Sequence, residues 1–159
     1  NIKKINYVTL LIFILSSEII GSLGSLATIP NIPVWYVGLV KPPLAPPNWL
    51  FGRVWTTLFA LMGIAAYLVW QKGFTKKPVK KALTWFGIQF GLNVLWSFLF
   101  FGMRSPIAGF VCIGFLWGLI VLTIQHFWKI NKTAGILLIP YLAWVTLATY
   151  LNLGIMLLN

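Results

Sequence analysis

Residues 35–55 read WYVGLVKPPLAPPNWLFGRVW, and the rest of the chain is organised around this stretch. Three tryptophans and four prolines share its 21 residues, and its only charged residues are Lys41 and Arg53. Proline cannot donate a backbone hydrogen bond and it restricts the residue before it, so residues 41–43 and 45–47 cannot form regular helix or a central strand. The segment is therefore predicted to be a stiff, extended loop.

Aromatic residues flank this loop on both sides. Tryptophan and tyrosine have an apolar body and a polar tip, and they favour the interface between a membrane and water. We therefore expect Trp35, Tyr36 and Trp49 to anchor the loop at headgroup level. Since the surrounding chain is almost entirely hydrophobic, we expect the loop to cover whatever the helices enclose.

The composition excludes an ordinary soluble domain. Of 159 residues, 60% are hydrophobic and 8% are charged, and the mean hydropathy is +0.92. A net charge of +11 would suggest nucleic-acid binding in a soluble protein, but here the basic residues stand between apolar segments, where membrane topology explains them. Nucleic acid is therefore not an expected partner, whereas a lipid bilayer is. With a single cysteine, the chain has no internal disulfide.

Five segments are long and apolar enough to cross a membrane, which takes about 20 residues. The first is longer than the apolar core of a usual signal peptide and lacks a clear cleavage site, so it is interpreted as a membrane helix. The sequence predicts an all-α integral membrane protein, a five-transmembrane-helix bundle forming one domain over residues 1–159. The predicted helices cover residues 7–27, 48–70, 82–102, 106–128 and 134–158, with a proline-rich loop at 28–47.

The distribution of lysine and arginine predicts the orientation. One side of the membrane receives nine basic residues and the other receives three. The positive-inside rule then places the N-terminus in the cytoplasm and the proline loop and C-terminus outside. We interpret the lysine run at 76–81 as this topological signal rather than as a specific anionic-lipid site. The basic residues on the two sides are Lys3, Lys4, Lys72, Lys76, Lys77, Lys80, Lys81, Lys129 and Lys132 on the first, and Lys41, Arg53 and Arg104 on the second.

Few residues offer acid–base or metal chemistry. Glu18, in the first hydrophobic segment, is the only acid of the chain, and an intramembrane carboxylate is costly enough to indicate function. The equal alternative is a protonated packing residue hydrogen-bonded to Ser16, Ser17 or Ser22. With one acid, His126 and Cys112, the chain cannot build a carboxylate pair, a Ser-His-Asp triad or a multi-ligand metal site. No metal and no required cofactor are predicted, His126 is expected at the interface, and Cys112 is expected to pack as a small hydrophobe.

Polar and aromatic residues recur at helical spacing in three predicted helices. They are Trp55 and Phe59 in the second, Gln89, Asn93 and Trp96 in the third, and Pro140, Trp144, Ala148 and Asn152 in the fifth. Such faces can line a pocket for a flat, mostly apolar ligand held by stacking. They can equally be the core between helices, and spacing alone slightly favours that alternative.

Two Gly-x-x-x-Gly pairs occur within the apolar segments, Gly87 with Gly91 and Gly114 with Gly118. Small residues at this spacing let helices approach closely, so either pair can form the seam of a homodimer. Packing within one chain is at least as probable from the sequence.

Three motifs together carry a resemblance to a known family. The loop stretch at 35–55, LNVLWSFLFFGMR at 92–104 and LLIPYLAWVTLATYLN at 137–152 occur in order and at the expected helix ends. They resemble the TspO/MBR family, which comprises bacterial tryptophan-rich sensory proteins and the mitochondrial translocator protein, or peripheral benzodiazepine receptor. The resemblance covers residues 21–159.

The resemblance implies a five-helix bundle, usually dimeric, with a ligand pocket open toward the first loop. It also implies binding of porphyrins such as protoporphyrin IX, and of isoquinoline carboxamide or benzodiazepine-type ligands. From the charges alone, we expect Lys41 or Arg53 to meet a porphyrin propionate at the pocket mouth. Carried over to this sequence, the resemblance implies these pocket residues: Tyr36, Pro42, Pro43, Trp55, Phe59, Asn93, Trp96, Trp144, Ala148 and Leu151.

The chain departs from the family pattern in two places. Cys112 stands where many members have an acid in the fourth helix, so a role for that carboxylate does not carry over. No basic residue follows Tyr150, so cholesterol binding through the pattern of tyrosine followed by lysine or arginine is not expected.

Three functions follow as hypotheses. The first is a receptor-like protein that binds haem-pathway tetrapyrroles and acts in their transport or in stress signalling. The second is an enzyme that degrades porphyrin in the light, and the resemblance implies that Trp55 and Trp144 take part in this reaction. The third is a transporter in which Glu18 couples the ligand to protons.

Overall fold

The computed structural model describes residues 4–159, and within this range every regular element is helical. Lys3, one of the predicted topology-determining lysines, lies outside the described residues. The α-helices are α1 (Tyr7–Ser22), α2 (Ser25–Asn31), α3 (Asn48–Trp70), α4 (Lys77–Ser97), α5 (Pro106–Ile130), α6 (Lys132–Leu137) and α7 (Ile139–Leu158), with a 3-10 turn at Tyr36–Gly38 and a π-helical turn at Phe98–Gly102.

These helices make up to five membrane spans, in agreement with the predicted integral membrane bundle. Four are continuous enough to cross a membrane by length and composition, at residues 48–70, 77–102, 106–130 and 132–158. The first span is a pair of helices, α1 and α2, bent by 45° at a short break. The large hydrophobic side chains on the outer surface, such as Leu15, Val111 and Phe115, are more than half exposed, as expected for residues that face lipid.

Local sequence signals account for several helix ends. Asn6 caps α1 through its side-chain oxygen, which accepts a hydrogen bond from the Thr9 N–H at 3.1 Å. Ser105 caps α5 in the same way, and Pro106 occupies the first turn, where its missing N–H costs nothing. Asn131 ends α5 and caps α6.

The first predicted helix is split and its second part runs to Asn31, four residues into the predicted loop, and the third predicted helix also has other bounds than predicted. It begins at Lys77, five residues before the predicted start, because Pro78 sits in the first turn of α4 and is tolerated there. At its other end the helix widens into the π-helical turn Phe98–Gly102, which turns both Phe100 and Phe101 into the core. In a regular α-helix two consecutive residues point about 100° apart.

Consecutive spans pack as neighbours. α4 packs along α5, α5 along α7, and α1 along α3. Most of the basic residues lie near helix ends on one side of the bundle, which we call the lysine end. They are Lys4, Lys72, Lys76, Lys77, Lys80, Lys81, Lys129 and Lys132. The opposite side, closed by residues 32–47, is the loop end.

Buried polar side chains are bonded to one another across the helices. The amide of Asn93 donates to the Tyr141 hydroxyl at 2.7 Å, and that hydroxyl donates to Oε1 of Gln89 at 2.7 Å. Separately, Nε1 of Trp96 donates to Oδ1 of Asn152 at 3.0 Å. Because a membrane offers no other partners, these bonds fix the rotation of α4 against α7.

Candidate ligand-binding site

A small cavity lies at the loop end, between the 3-10 turn and the helices α3, α4 and α7. Its volume for the centre of a water molecule is about 10 Å³, so it holds about one water. It is almost entirely apolar in its lining. The lining residues are Tyr36, Phe51, Trp55, Trp96, Phe100, Phe101, Trp144, Ala148, Leu151 and Asn152.

Aromatic rings pack around this cavity in a continuous set. Trp96 stacks on Phe100 with ring centres 5.2 Å apart, and Phe100 meets Phe101 edge to face at 4.9 Å. On the facing side Phe51 contacts Trp144 edge to face at 5.8 Å. These rings present flat apolar surfaces from three helices, which suits a planar ligand inserted between them.

Two hydrogen-bond donors at the cavity have no partner. The Tyr36 hydroxyl and the Trp144 Nε1–H are both buried and make no hydrogen bond within the described residues. Tyr36 is 1% exposed, and burial raises the pKa of its hydroxyl to about 12. An unpaired buried donor costs about 1–3 kcal/mol, so a ligand that supplies acceptor atoms here recovers this cost.

The proline loop is held to α7 and to Asn159, the residue that follows this helix, by three hydrogen bonds. The Asn159 side chain accepts from the Val40 N–H at 3.1 Å and donates to the Val40 carbonyl at 2.9 Å. The Tyr150 hydroxyl donates to the Pro43 carbonyl at 2.7 Å. We call these three hydrogen bonds the loop latch. Pro42 packs directly on Gly154, where any side chain would collide with its ring.

Comparison with known proteins decides the family. The TspO/MBR family model matches residues 13–158, which is most of the chain. The chain belongs to the TspO/MBR family. The tryptophan-rich protein TspO of Archaeoglobus fulgidus is 45% identical over 154 residues, which cover 97% of this chain and 99% of that protein. That of Chlorobaculum tepidum is 47% identical over 140 residues, 88% of this chain and 89% of that protein. Human translocator protein is 40% identical over 120 residues, 74% of this chain and 70% of that protein. These matches confirm the resemblance stated from the motifs.

The structure brings most of the implied pocket residues of this TspO/MBR protein together. Six of the ten implied residues line the cavity: Tyr36, Trp55, Trp96, Trp144, Ala148 and Leu151. Pro42 is buried against Gly154, and Pro43 is exposed, so both belong to the loop latch region rather than to the cavity wall.

Phe59 and Asn93 do not line the cavity but lie behind the residues that do. Phe59 stacks on Trp55 with ring centres 5.4 Å apart and supports that ring from the core. Asn93 donates its amide to the Tyr141 hydroxyl and does not line the cavity.

The two basic residues expected at the mouth lie over aromatic rings of the loop end. Nζ of Lys41 is 4.5 Å from the centre of the Tyr36 ring, and the Arg53 guanidinium is 5.4 Å from that of Trp49. Both are cation–π contacts. Trp49 is 65% exposed, as expected of an interfacial anchor, whereas the expectation that Tyr36 anchors the loop at the headgroups is wrong, because the protein buries it.

Sequence reasoning missed four lining residues. Phe51, Phe100, Phe101 and Asn152 line the cavity but were not assigned to it. Asn152 belonged to the recognised helical stripe, and that signal could have placed it. Phe100 and Phe101 depend on the π-helical turn, which no spacing rule indicates.

The remaining candidates stand outside this site. Cys112 is buried and contacts the Leu92 carbonyl, and Nδ1 of His126 lies 2.8 Å from the Leu122 carbonyl. Within residues 4–159 no three His, Cys, Asp or Glu side chains form a metal-binding group.

Glu18 is partly exposed, and its buried Oε1 atom has no hydrogen-bond partner among the described residues. The hydroxyls of Ser17 and Ser22 donate to the backbone carbonyls of Phe59 and Ile19. A hydroxyl that donates elsewhere can still accept, but neither serine bonds Oε1 of Glu18 in the described residues, so the hydrogen bond of the packing alternative is not seen at that atom.

Proposed function

We propose that this chain is a membrane receptor-like protein that binds porphyrins, such as protoporphyrin IX, in the tryptophan-lined cavity. The observation that carries the proposal is the pairing of aromatic walls with two unpartnered buried donors, Tyr36 and Trp144. A porphyrin is a flat, largely apolar macrocycle with acceptor atoms, so it satisfies both features. Trp55, Trp96 and Trp144 then supply stacking surfaces, each worth roughly 0.5–1.5 kcal/mol beyond area burial.

The same chemistry extends to other ligand classes. Isoquinoline carboxamide and benzodiazepine-type compounds are aromatic and carry carbonyl acceptors, and we propose that they compete for this cavity. We also propose that Lys41 and Arg53, which lie at the loop end, meet the carboxylates of a porphyrin through charge-assisted hydrogen bonds.

Ligand entry requires part of the protein to move. A volume of about 10 Å³ is far smaller than any of these ligands. The walls of the cavity must therefore separate to admit a ligand, and we propose that they do so when the loop lifts from α7 and that a bound ligand holds it in a second position. We propose that this movement couples porphyrin binding to transport or stress signalling.

The proposed orientation follows the charges: the lysine end faces the cytoplasm, and the loop end faces outward. We also propose a homodimer through Gly87 and Gly91 or through Gly114 and Gly118. A side chain added at any of these four glycines meets nothing within 4 Å, so none of them serves packing within the chain. The four positions stand open to a second copy.

A titration with protoporphyrin IX in nanodiscs tests the proposed function. Tryptophan quenching is followed in the dark for wild type, for a Trp55→Phe/Trp144→Phe variant, and for a Trp85→Phe/Trp128→Phe control near the lysine end. We expect saturable binding in wild type and control, and binding weaker by roughly 10-fold in the cavity variant, since each loses stacking area and an indole N–H. Absence of saturable binding in wild type would overturn the proposal.

Illumination of the same samples addresses the alternative function. Trp55 and Trp144 both line the cavity, within reach of one ligand, and this favours light-dependent porphyrin degradation as a second candidate. If porphyrin absorbance bands disappear in light with wild type but persist with the cavity variant, the protein is an enzyme. If the bound porphyrin spectrum stays unchanged, it is a receptor or carrier.

A further inference from the structure

A second, larger depression lies at the lysine end, where the start of α1 meets the end of α3. Its volume for the centres of water molecules is about 340 Å³, and it opens to the outside. It shares no residue with the tryptophan-lined cavity. We call it the basal cleft, and its walls include Lys4, Asn6, Tyr67, Trp70, Gly73 and Phe74.

One wall of the basal cleft is aromatic and held in place. Tyr67 is 2% exposed, and its ring stacks on Trp70 with centres 6.3 Å apart. The Tyr67 hydroxyl accepts a hydrogen bond from the Asn6 N–H at 2.8 Å, which ties the start of α1 to α3. Phe13 contacts both rings, with its ring centre 5.5 Å from that of Trp70 and 5.8 Å from that of Tyr67. This wall is therefore rigid and apolar.

The rim of the basal cleft is positively charged. Lys4 lines it directly. Gly73 has φ +131, a conformation that other residues rarely adopt, and the turn it makes folds Lys76 back: a Cβ built on Gly73 would lie 3.0 Å from Cε of Lys76. Lys4 thus lines the opening, and Lys76 packs against Gly73, one of the residues of its wall. The only carboxylate side chain in the sequence, Glu18, lies 12 residues along the same span as Asn6, about 18 Å away, so no acid neutralises them.

The surroundings of the basal cleft are those of a membrane interface. It lies where two spans end, at the level of lipid headgroups, and apolar side chains beside it are open to lipid: Tyr7 is 74% exposed, Val8 71% and Phe74 56%. A soluble anion would meet the lysines but leave these apolar surfaces uncovered, whereas a phospholipid covers both.

We propose that the basal cleft is a binding site for one anionic phospholipid, with its phosphate between Lys4 and Lys76 and its glycerol and upper acyl chain against Trp70 and Phe74. The run of lysines at 76–81 as a whole still sets the membrane topology, and only Lys76 of that run belongs to the proposed lipid site. Bound there, the lipid bridges α1 and α3 at the end opposite to the porphyrin cavity.

Native mass spectrometry of the detergent-solubilised protein tests this site. Phosphatidylglycerol and phosphatidylcholine with identical acyl chains are titrated onto wild type, onto Lys4→Gln/Lys76→Gln, and onto Lys81→Gln/Lys129→Gln, a control with the same loss of charge outside the cleft. A fourth protein, Phe74→Ala, keeps every charge and removes an apolar contact. Each protein is also titrated with phosphatidylglycerol in the presence of millimolar glycerol phosphate.

We expect wild type to retain one phosphatidylglycerol in preference to phosphatidylcholine. A lysine beside an anionic headgroup is worth about 1 kcal/mol, so the cleft variant should bind phosphatidylglycerol roughly 10- to 30-fold more weakly. The control should stay within about two-fold of wild type, and Phe74→Ala should bind more weakly than wild type. Equal loss in the control, equal retention of the two lipids, or displacement by glycerol phosphate would overturn the proposal. Porphyrin titration of the same variants reports separately on the other cavity.

Discussion

Removing the loop latch should speed the entry of porphyrin. The substitutions are Tyr150→Phe and Asn159→Ala in one chain, which delete the three hydrogen bonds to Pro43 and Val40 and leave the cavity lining intact. The bonded residues are separated in the sequence by 107 positions in one case and 119 in the other. The bonds therefore hold the loop to α7 rather than stabilise either element locally.

The expected size of the effect follows from the exposure of these bonds. Each involves an exposed residue, so each contributes toward the low end of the usual range, about 0.5 kcal/mol. Together they favour the closed loop by about 1.5 kcal/mol, which is a factor of roughly 10 in the closed-to-open ratio. Where entry proceeds through the open form, the association rate rises by the same factor.

Stopped-flow quenching of tryptophan fluorescence by protoporphyrin IX measures this rate. The matched control is Tyr7→Phe, which removes a hydroxyl from an exposed residue of α1 far along the chain from the loop. We expect the association rate constant to rise roughly 10-fold in the latch variant and to stay unchanged in the control. An unchanged or lower rate in the latch variant would refute the reasoning that the fastened loop limits access.

Three further predictions concern other parts of the molecule. Because burial raises the pKa of Tyr36 from 10.0 to about 12, the closed loop disfavours the ionised form of this residue and loses stability as the pH rises from 10 to 12; the wild-type minus Tyr36→Phe absorbance titration should show a midpoint near 12, and a midpoint near 10 would contradict it. Gln89→Leu leaves the Tyr141 hydroxyl without its acceptor and should destabilise the bundle by about 1–3 kcal/mol in thermal unfolding, while porphyrin affinity stays the same because Gln89 lies outside the cavity. If one Gly-x-x-x-Gly pair forms the dimer, either Gly87→Leu or Gly114→Leu should yield monomers in light scattering, and dimers in both variants would place the seam elsewhere.

Hydropathy and proline chemistry were enough to predict the architecture. Asn48–Trp70 forms the second helix over the predicted range, because its ends are set by Pro47 and by the polar Gln71. The first span could not be predicted as two helices, since the close contact of Gly24 with Ser97 beside its bend joins residues far apart in the chain. Helical period alone says which residues share a face, but it does not say what that face meets.

The candidate site was predictable in part for the same reason. Trp144 and Ala148 follow a regular helical stripe, so their common face was visible in the sequence. The buried position of Tyr36 is set by ring contacts with Phe51 and Phe101, which come from other elements of the chain. The inward turn of Phe100 and Phe101 depends on a local shift of helical hydrogen bonding that packing imposes. Long-range contacts of this kind leave no periodic signal.

Filling the cavity tests its role as a ligand site most directly. Ala148 is 7% exposed and lines the cavity, whereas Ala143 lies on the exposed face of the same helix. Protoporphyrin IX is titrated onto Ala148→Leu and onto the control Ala143→Leu, with helical content checked by circular dichroism. If the cavity is the binding site, Ala148→Leu loses saturable binding while the control binds like wild type. Wild-type affinity in a correctly folded Ala148→Leu variant would contradict the assignment.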